Sequence, residues 1–180
     1  MPIPSKTTAV LLCFLCVVAL HADWPPPPST RMLPYRGLDI ELRFPENWSV
    51  GQNAGFLYVT PTDAFVDGLL AYGMMIGTFD PQSETNLADA TNQVVAQFRE
   101  WNQNVSMVRY TGQTYIDGFE AIAVDMMNTS PAGGMETDLL VVVLRPNGLV
   151  TYFAGVVPER DIRDYRTAFD SILASVRFVS

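Results

Sequence analysis

From residue 37 onward the chain alternates: Leu38, Ile40, Leu42 and Phe44 are separated by Asp39, Glu41 and Arg43. This is the two-residue period of a strand with one buried face. Pro45-Glu46-Asn47-Trp48 then turns the chain and returns an indole to the core. A second strand is predicted over residues 56–60, entered through 51–55 and stopped by Pro61. The stretch 69–79 (LLAYGMMIGTF) is almost wholly apolar and too glycine-rich for a helix. It reads as a central strand buried on both faces.

The period changes at residue 86. Leu87, Ala90, Val94, Phe98 and Trp101 recur at spacings of three and four, which puts them on one face of a helix over 86–101. Thr85 or Asn86 can cap it, and Asp89 in the first turn suits its dipole. Short strands follow at 105–110 and 113–116, then Asp117-Gly118 as a turn and a strand over 120–128. The clearest hairpin pairs 137–144 with 149–157 across Arg145-Pro146-Asn147-Gly148. A closing helix over 161–175 buries Tyr165, Phe169, Ile172, Leu173 and Val176. Runs of strands with two helices inserted late predict an α+β fold: a largely antiparallel sheet packed by one long mid-chain helix and one C-terminal helix. Its expected core anchors are Trp48, Phe98, Trp101, Tyr165 and Phe169.

The first 22 residues have a different character. Lys6 gives a positive start, Ala9 to Leu20 is a charge-free apolar run, and a small-residue end follows. This is the pattern of a removable export signal, too short to span a membrane. Cleavage after Ala19 or after Ala22 fits equally. Cys13 and Cys16 sit inside the apolar run behind leucines, where lipid attachment is not expected. Residues 23–36, with four consecutive prolines from Pro25 to Pro28, read as a stiff spacer. A single domain is expected over 37–180.

Removing the signal changes the chemistry on offer. Every cysteine, histidine and lysine lies within the first 21 residues, so the remaining domain has no thiol nucleophile, imidazole base, Schiff-base lysine or His/Cys zinc site. It must hold together by packing, without disulfides. The whole chain's net charge of −8, with all of its acids after the signal, opposes binding to nucleic acid or anionic lipid. No cofactor or metal is called for.

The stretch most like a site is 130–138, SPAGGMETD. Pro131 and the Gly133-Gly134 pair suggest an adaptable loop, and Glu136 and Asp138 place two carboxylates on one side of a strand start. With Ser130 they form the candidate interaction loop, an acidic rim for a basic partner or a weak oxygen-ligand cation site. The other groupings favour structural roles. Asp63 and Asp67 miss the ligand spacing of a calcium loop, and Met74-Met75 and Met126-Met127 alternate across strands as core residues do. Three sequons, at Asn47, Asn104 and Asn128, matter only in a glycosylating host.

The alternating first strand ending in Phe44-Pro45-Glu46-Asn47-Trp48 resembles the opening of PsbP-like domains. Tyr165, Phe169 and the run Asp170-Ser171-Ile172-Leu173-Ala174-Ser175-Val176-Arg177-Phe178 are similar to their closing helix and last strand. Ser130 to Asp138 also resembles a stretch in bacterial exported PsbP-like domains, some attached to membrane-associated HExxH metallopeptidases. The resemblance implies a PsbP-like α/β/α sandwich over about 37–179 and a bacterial source. No HExxH is present, so it implies no protease activity, and it does not imply photosystem binding.

These readings converge on an exported, periplasmic or extracellular, non-catalytic interaction or accessory module. Its expected partner is another exported or membrane-associated protein. The competing class is a small-ligand or calcium-type cation binder using acidic loops, and a distant third is a carboxylate-only hydrolase. The export reading predicts that intact-mass measurement of the secreted protein finds a start at Leu20 or Asp23 with no added lipid; an acylated Cys13 or Cys16 would refute it.

Overall fold

The computed structural model describes residues 25–81 and 85–179; the expected export signal, residues 1–22, lies outside them. The chain starts as a meander of tight hairpins. β1 (Met32–Gly37) pairs with β2 (Ile40–Pro45), β3 (Trp48–Asn53) with β4 (Phe56–Pro61), and the short β5 (Phe65–Val66) with β6 (Leu69–Leu70). Each is closed by two residues of positive φ: Leu38-Asp39, Ala54-Gly55 and Asp67-Gly68. That is the backbone handedness a two-residue hairpin needs to match the twist of its strands. It also accounts for Asp67 as a turn residue, since aspartate tolerates this conformation.

β7 (Gly73–Phe79) leads to helix α1 (Leu87–Trp101), then to β8 (Met107–Ile116), β9 (Phe119–Thr129), β10 (Met135–Leu144) and β11 (Val150–Pro158). Helix α2 (Ile162–Ser175) and β12 (Arg177–Phe178) close the chain. Seven strands form one antiparallel sheet in the order β3-β4-β7-β11-β10-β9-β8, and β1-β2-β12 form a second, smaller one. The fold is thus α+β and mostly antiparallel.

Alternation along β10 separates two cores. Leu140 and Val142 face α1, where Ala90, Val94, Val95 and Phe98 pack with Val124, Met126 and Tyr152. Leu139, Val141 and Val143 face α2 and the small sheet, where Phe169 and Ile172 meet Trp48, Leu57 and Phe153. The two methionine pairs are divided by the same rule, Met74 lying in one core and Met126 in the other. Close approach of α2 to β11 depends on Gly155: a Cβ there would lie 2.7 Å from the Phe169 ring.

Four expectations differ from what is found. Folded structure begins at Met32, inside the expected spacer, because β1 pairs along its whole length with β2. The proline segment before it is also held: Asn47 donates to the Pro27 carbonyl and accepts from the Ser29 N–H. β3 is a strand where a loop was expected; it is a sheet edge with mostly exposed polar residues, so it lacks apolar alternation. The apolar stretch 69–79 is broken at Ala71-Tyr72, whose N–H groups both bond Ala64 O, and the long strand starts only at Gly73. Gly73 has φ 119, and a Cβ on it would lie 2.7 Å from the Val59 carbonyl oxygen. Finally, the two strands expected over 105–116 are one, β8, with a bulge between Tyr110 and Gly112.

Of the expected anchors, Trp48, Phe98, Tyr165 and Phe169 are buried, whereas Trp101 is half exposed. Helical periodicity assigns Trp101 to the correct face, but Phe98 is the last residue of α1 that is buried. Trp101 is left against Phe98 and Phe56, with ring centroids 5.4 and 5.7 Å away. Trp48 sits where the chain passes from the small sheet to the large one, its ring 5.6 Å from Tyr165 and 6.2 Å from Phe169. Trp48→Ala should therefore destabilise the fold by about 3–5 kcal/mol, the range for emptying a large aromatic site, as read from denaturant midpoints; a loss below about 1 kcal/mol would show that these contacts carry little.

Candidate functional site

The segment 130–138 combines a closed turn with a buried pair of acids. In the turn, Ser130 N–H donates to Gly134 O, Gly133 N–H to Ser130 O, and Ala132 N–H to Ser130 Oγ. Arg160 reaches the Gly133 carbonyl at 3.4 Å. Gly133 and Gly134 have φ 87 and 79, which explains the glycine pair as a turn requirement. The adaptable loop expected from the sequence is thus a short hydrogen-bonded connection between β9 and β10.

The exposed acidic rim expected at Glu136 and Asp138 does not form: burial on the sheet leaves them 4% and 3% exposed. Both are in phase with Leu140 and Val142, so strand alternation points them to the α1 side of the sheet. Asn128 on β9 lies opposite Glu136 in register and donates from Nδ2 to Asp138 Oδ2. The acids occupy the floor of a groove of about 530 Å³ between the end of α1 and the ends of β9, β10 and β11. Met75, Phe98, Trp101 and Val156 give it apolar walls, and Asn102, Gln103 and Asn104 beyond the helix end add amides and backbone.

Burial controls the charge of this floor. Desolvation lifts the Glu136 carboxyl from its ordinary value of 4.5 to about 7, although hydrogen bonds from the Ser130 and Asn128 side chains oppose the rise. Asp138 is raised well above the usual carboxylate range by its own burial and by the neighbouring Glu136 charge. Glu136 Oε2, Asp138 Oδ1 and Asn128 Oδ1 are buried without a donor. A buried acceptor left in that state is costly, and a proton retained by the acid pair supplies one missing donor. Burial therefore favours a proton on the pair, and its donorless oxygens can accept from one further donor or cation.

Ser130, Glu136 and Asp138, singled out from the sequence, are placed together, with neighbours the sequence did not associate with them. Asn128, Met75, Val156 and Trp101 come from four different elements, brought together by strand pairing and by the packing of α1 on the sheet. The detectable signal was phase: with Leu140 and Val142 in the core, Asp138 and Glu136 had to lie on the same face. Asp63, like Asp67, has positive φ in a turn. Among the described residues no group of three or more acidic, histidine or cysteine side chains is placed to hold a metal.

No protein-family model matches the chain. No curated protein matches its sequence either. Solved structures do match its fold. The cyanobacterial PsbP of Synechocystis sp. PCC 6803 superposes with a TM-score of 0.59 at 12% identity, covering 82% of this chain and 92% of that one. LpqN of Mycobacterium tuberculosis, described as involved in cell envelope biogenesis, superposes with a TM-score of 0.54 at 15% identity, covering 83% and 91%. The fold is PsbP-like. No helix of the described residues is long and apolar enough to cross a membrane.

The raised acids give stability a defined pH dependence. Folded Glu136 keeps a proton that the unfolded chain releases, so stability falls as pH rises from about 4.5 to about 7, and Asp138 acts in the same direction. Glu136→Gln, which keeps the shape without the ionisation, should flatten this slope. It should also raise stability at pH 8 by about 1–3 kcal/mol, the scale of an unsatisfied buried group. Thermal melts between pH 4.5 and 8.5 test this, and an unchanged slope would contradict the assignment.

Proposed function

We propose that this chain is a non-catalytic accessory module that works outside the cytoplasm, and that it engages a partner through the groove over Glu136 and Asp138. The observation that carries the reading is the set of donorless buried oxygens on the floor of a groove with an exposed tryptophan beside it. Such a floor suits a lysine, arginine or amide side chain inserted from a partner, with Trp101 supplying an amphipathic contact surface. The partner proposed is an exported or membrane-associated protein. The likeness of segment 130–138 to domains attached to membrane-associated peptidases supports a membrane-proximal setting, and the PsbP-like fold is compatible with an accessory role.

One feature argues against catalysis by this pair. Glycoside hydrolysis needs two carboxyls whose environments push them apart, one protonated and one ionised. Here burial is the leading influence on both carboxyls, and it raises both. The competing reading, a calcium-type ion on the same oxygens, meets a related obstacle: such an ion takes six to eight oxygen ligands, and the pair provides few in an apolar setting.

Insertion of a cationic group must displace the retained proton, so binding should strengthen as pH rises through about 7. Partners recovered from envelope extracts of the host should be retained on the wild-type protein at pH 8 and released at pH 5.5. They should be lost from the doubly substituted Glu136→Gln/Asp138→Asn protein, whose fold is checked by its melt. Equal retention by a folded double variant would eliminate the groove as the partner site. Calcium added to the isolated domain distinguishes the competing reading, which requires a rise in melting temperature that the double variant lacks.

A further inference from the structure

A second cavity lies at the other end of β10. Counting nine residues at the strand rise, Arg145 is about 30 Å from Glu136. The cavity has a volume of about 290 Å³, at the small end of the range for ligand pockets. Ile40, Leu57, Ile76 and Phe178 form its apolar walls, and Thr78 and Thr151, whose hydroxyls are 3.0 Å apart, form a polar patch. It opens between the small sheet and the large one, beside the Leu38-Asp39 turn.

Arg145 makes this cavity unusual. It is 8% exposed, yet no carboxylate forms an ion pair with it among the described residues. Its guanidinium lies over the Phe178 ring, 4.7 Å from the centroid, and its nitrogens are not among the fully buried polar atoms, so they stay open to a ligand at the cavity. A cation–π contact offsets only part of the cost of burying a guanidinium. The backbone fixes its position at the hairpin neck, where Arg145 N–H donates to Leu149 O and Arg145 O accepts from Gly148 N–H.

A second oddity lies at the mouth. Leu38 has φ 50 and is 56% exposed. A turn position of this kind favours asparagine or glycine, so an exposed leucine held there costs both strain and solvation. Beside it Asp39 is exposed and solvated.

We propose that this cavity binds a small monocarboxylate with an apolar body, its head group on the Arg145 guanidinium and its body against Leu57, Ile76 and Phe178. A carboxylate supplies the bidentate charge-assisted hydrogen bonds that the planar guanidinium lacks. The threonine hydroxyls give it a further polar contact, and Leu38 covers the apolar end. One cation among aliphatic walls, within a volume of this size, suits a short acyl or aryl carboxylate and leaves no room for a bulky polar group.

Octanoate and octan-1-ol, which share the chain and differ in the head group, test the site by residue-resolved NMR titration and calorimetry. Octanoate should saturate with shifts at Leu57, Ile76, Thr151 and Phe178 and bind about tenfold or more tightly than the alcohol. Arg145→Gln should remove that preference. Asp39→Asn removes a repelling charge at the mouth in a residue type that tolerates positive φ, and should tighten octanoate about two- to fivefold at low salt. Absence of saturable shifts at these residues, or equal binding of acid and alcohol, would overturn the proposal. If Arg145→Gln fails to fold, Asp39→Asn carries the test alone, and unchanged or weaker octanoate binding in it has the same consequence.

Discussion

The constraint on which this molecule depends is that its central strands are dry on both faces. Every residue of β11 is buried, and β10 beside it is buried from Asp138 to Val143. With α1 on one side and α2 with the small sheet on the other, a polar side chain in the middle of these strands would have neither water nor partner. Polar chemistry is therefore displaced to the strand ends. Glu136 and Asp138 stand at one end of β10 and Arg145 just past the other. The two cavities follow from the same exclusion.

That exclusion also sets the character of the acid pair. In water, two carboxyls two residues apart on a strand would both be ionised at neutral pH. Here the sheet and α1 remove solvent from both, and Asn128 and Ser130 return only part of what water gave. The result is a proton-retaining pair in a partly apolar groove. The proposed choice of recognition over acid–base turnover rests on those properties. The PsbP-like fold itself is neutral on the choice, because the matched structures share architecture at identities too low to carry residues across.

Elements with strong periodicity were legible in the sequence. The helix expected over 86–101 is α1 nearly to the residue, because its apolar spacing and its Asn86 cap agree: Asn86 Oδ1 accepts from Asp89 N–H. The hairpin around Arg145 to Gly148 was equally plain, since proline and glycine mark the turn between two apolar runs. β3 was missed because its solvent-facing residues are polar and leave no apolar alternation to read, and β1 because Pro34, following the run Pro25 to Pro28, reads as spacer. The site was half legible. Its acids could be named from the sequence, but their burial depended on strand phase, and their neighbours Met75 and Trp101 reach them only through the pairing of distant strands and the packing of α1 on the sheet. Arg145 was read as a turn residue because nothing local distinguishes a buried arginine from a solvated one.

The grip of Asn47 on the proline segment has a mechanical consequence. Asn47 holds Pro27 and Ser29, Glu46 N–H donates to Arg31 O, and Arg31 and Glu46 are paired at 3.1 Å. Trp48, next along the chain, is embedded in the aromatic core. Tension applied ahead of Pro25 therefore does not unreel a slack leash but arrives at the seam between the two sheets, beside the indole. A tether attached there would transmit load directly into the domain, and the first structure to yield would be the clasp around Asn47, before any strand of the large sheet is loaded.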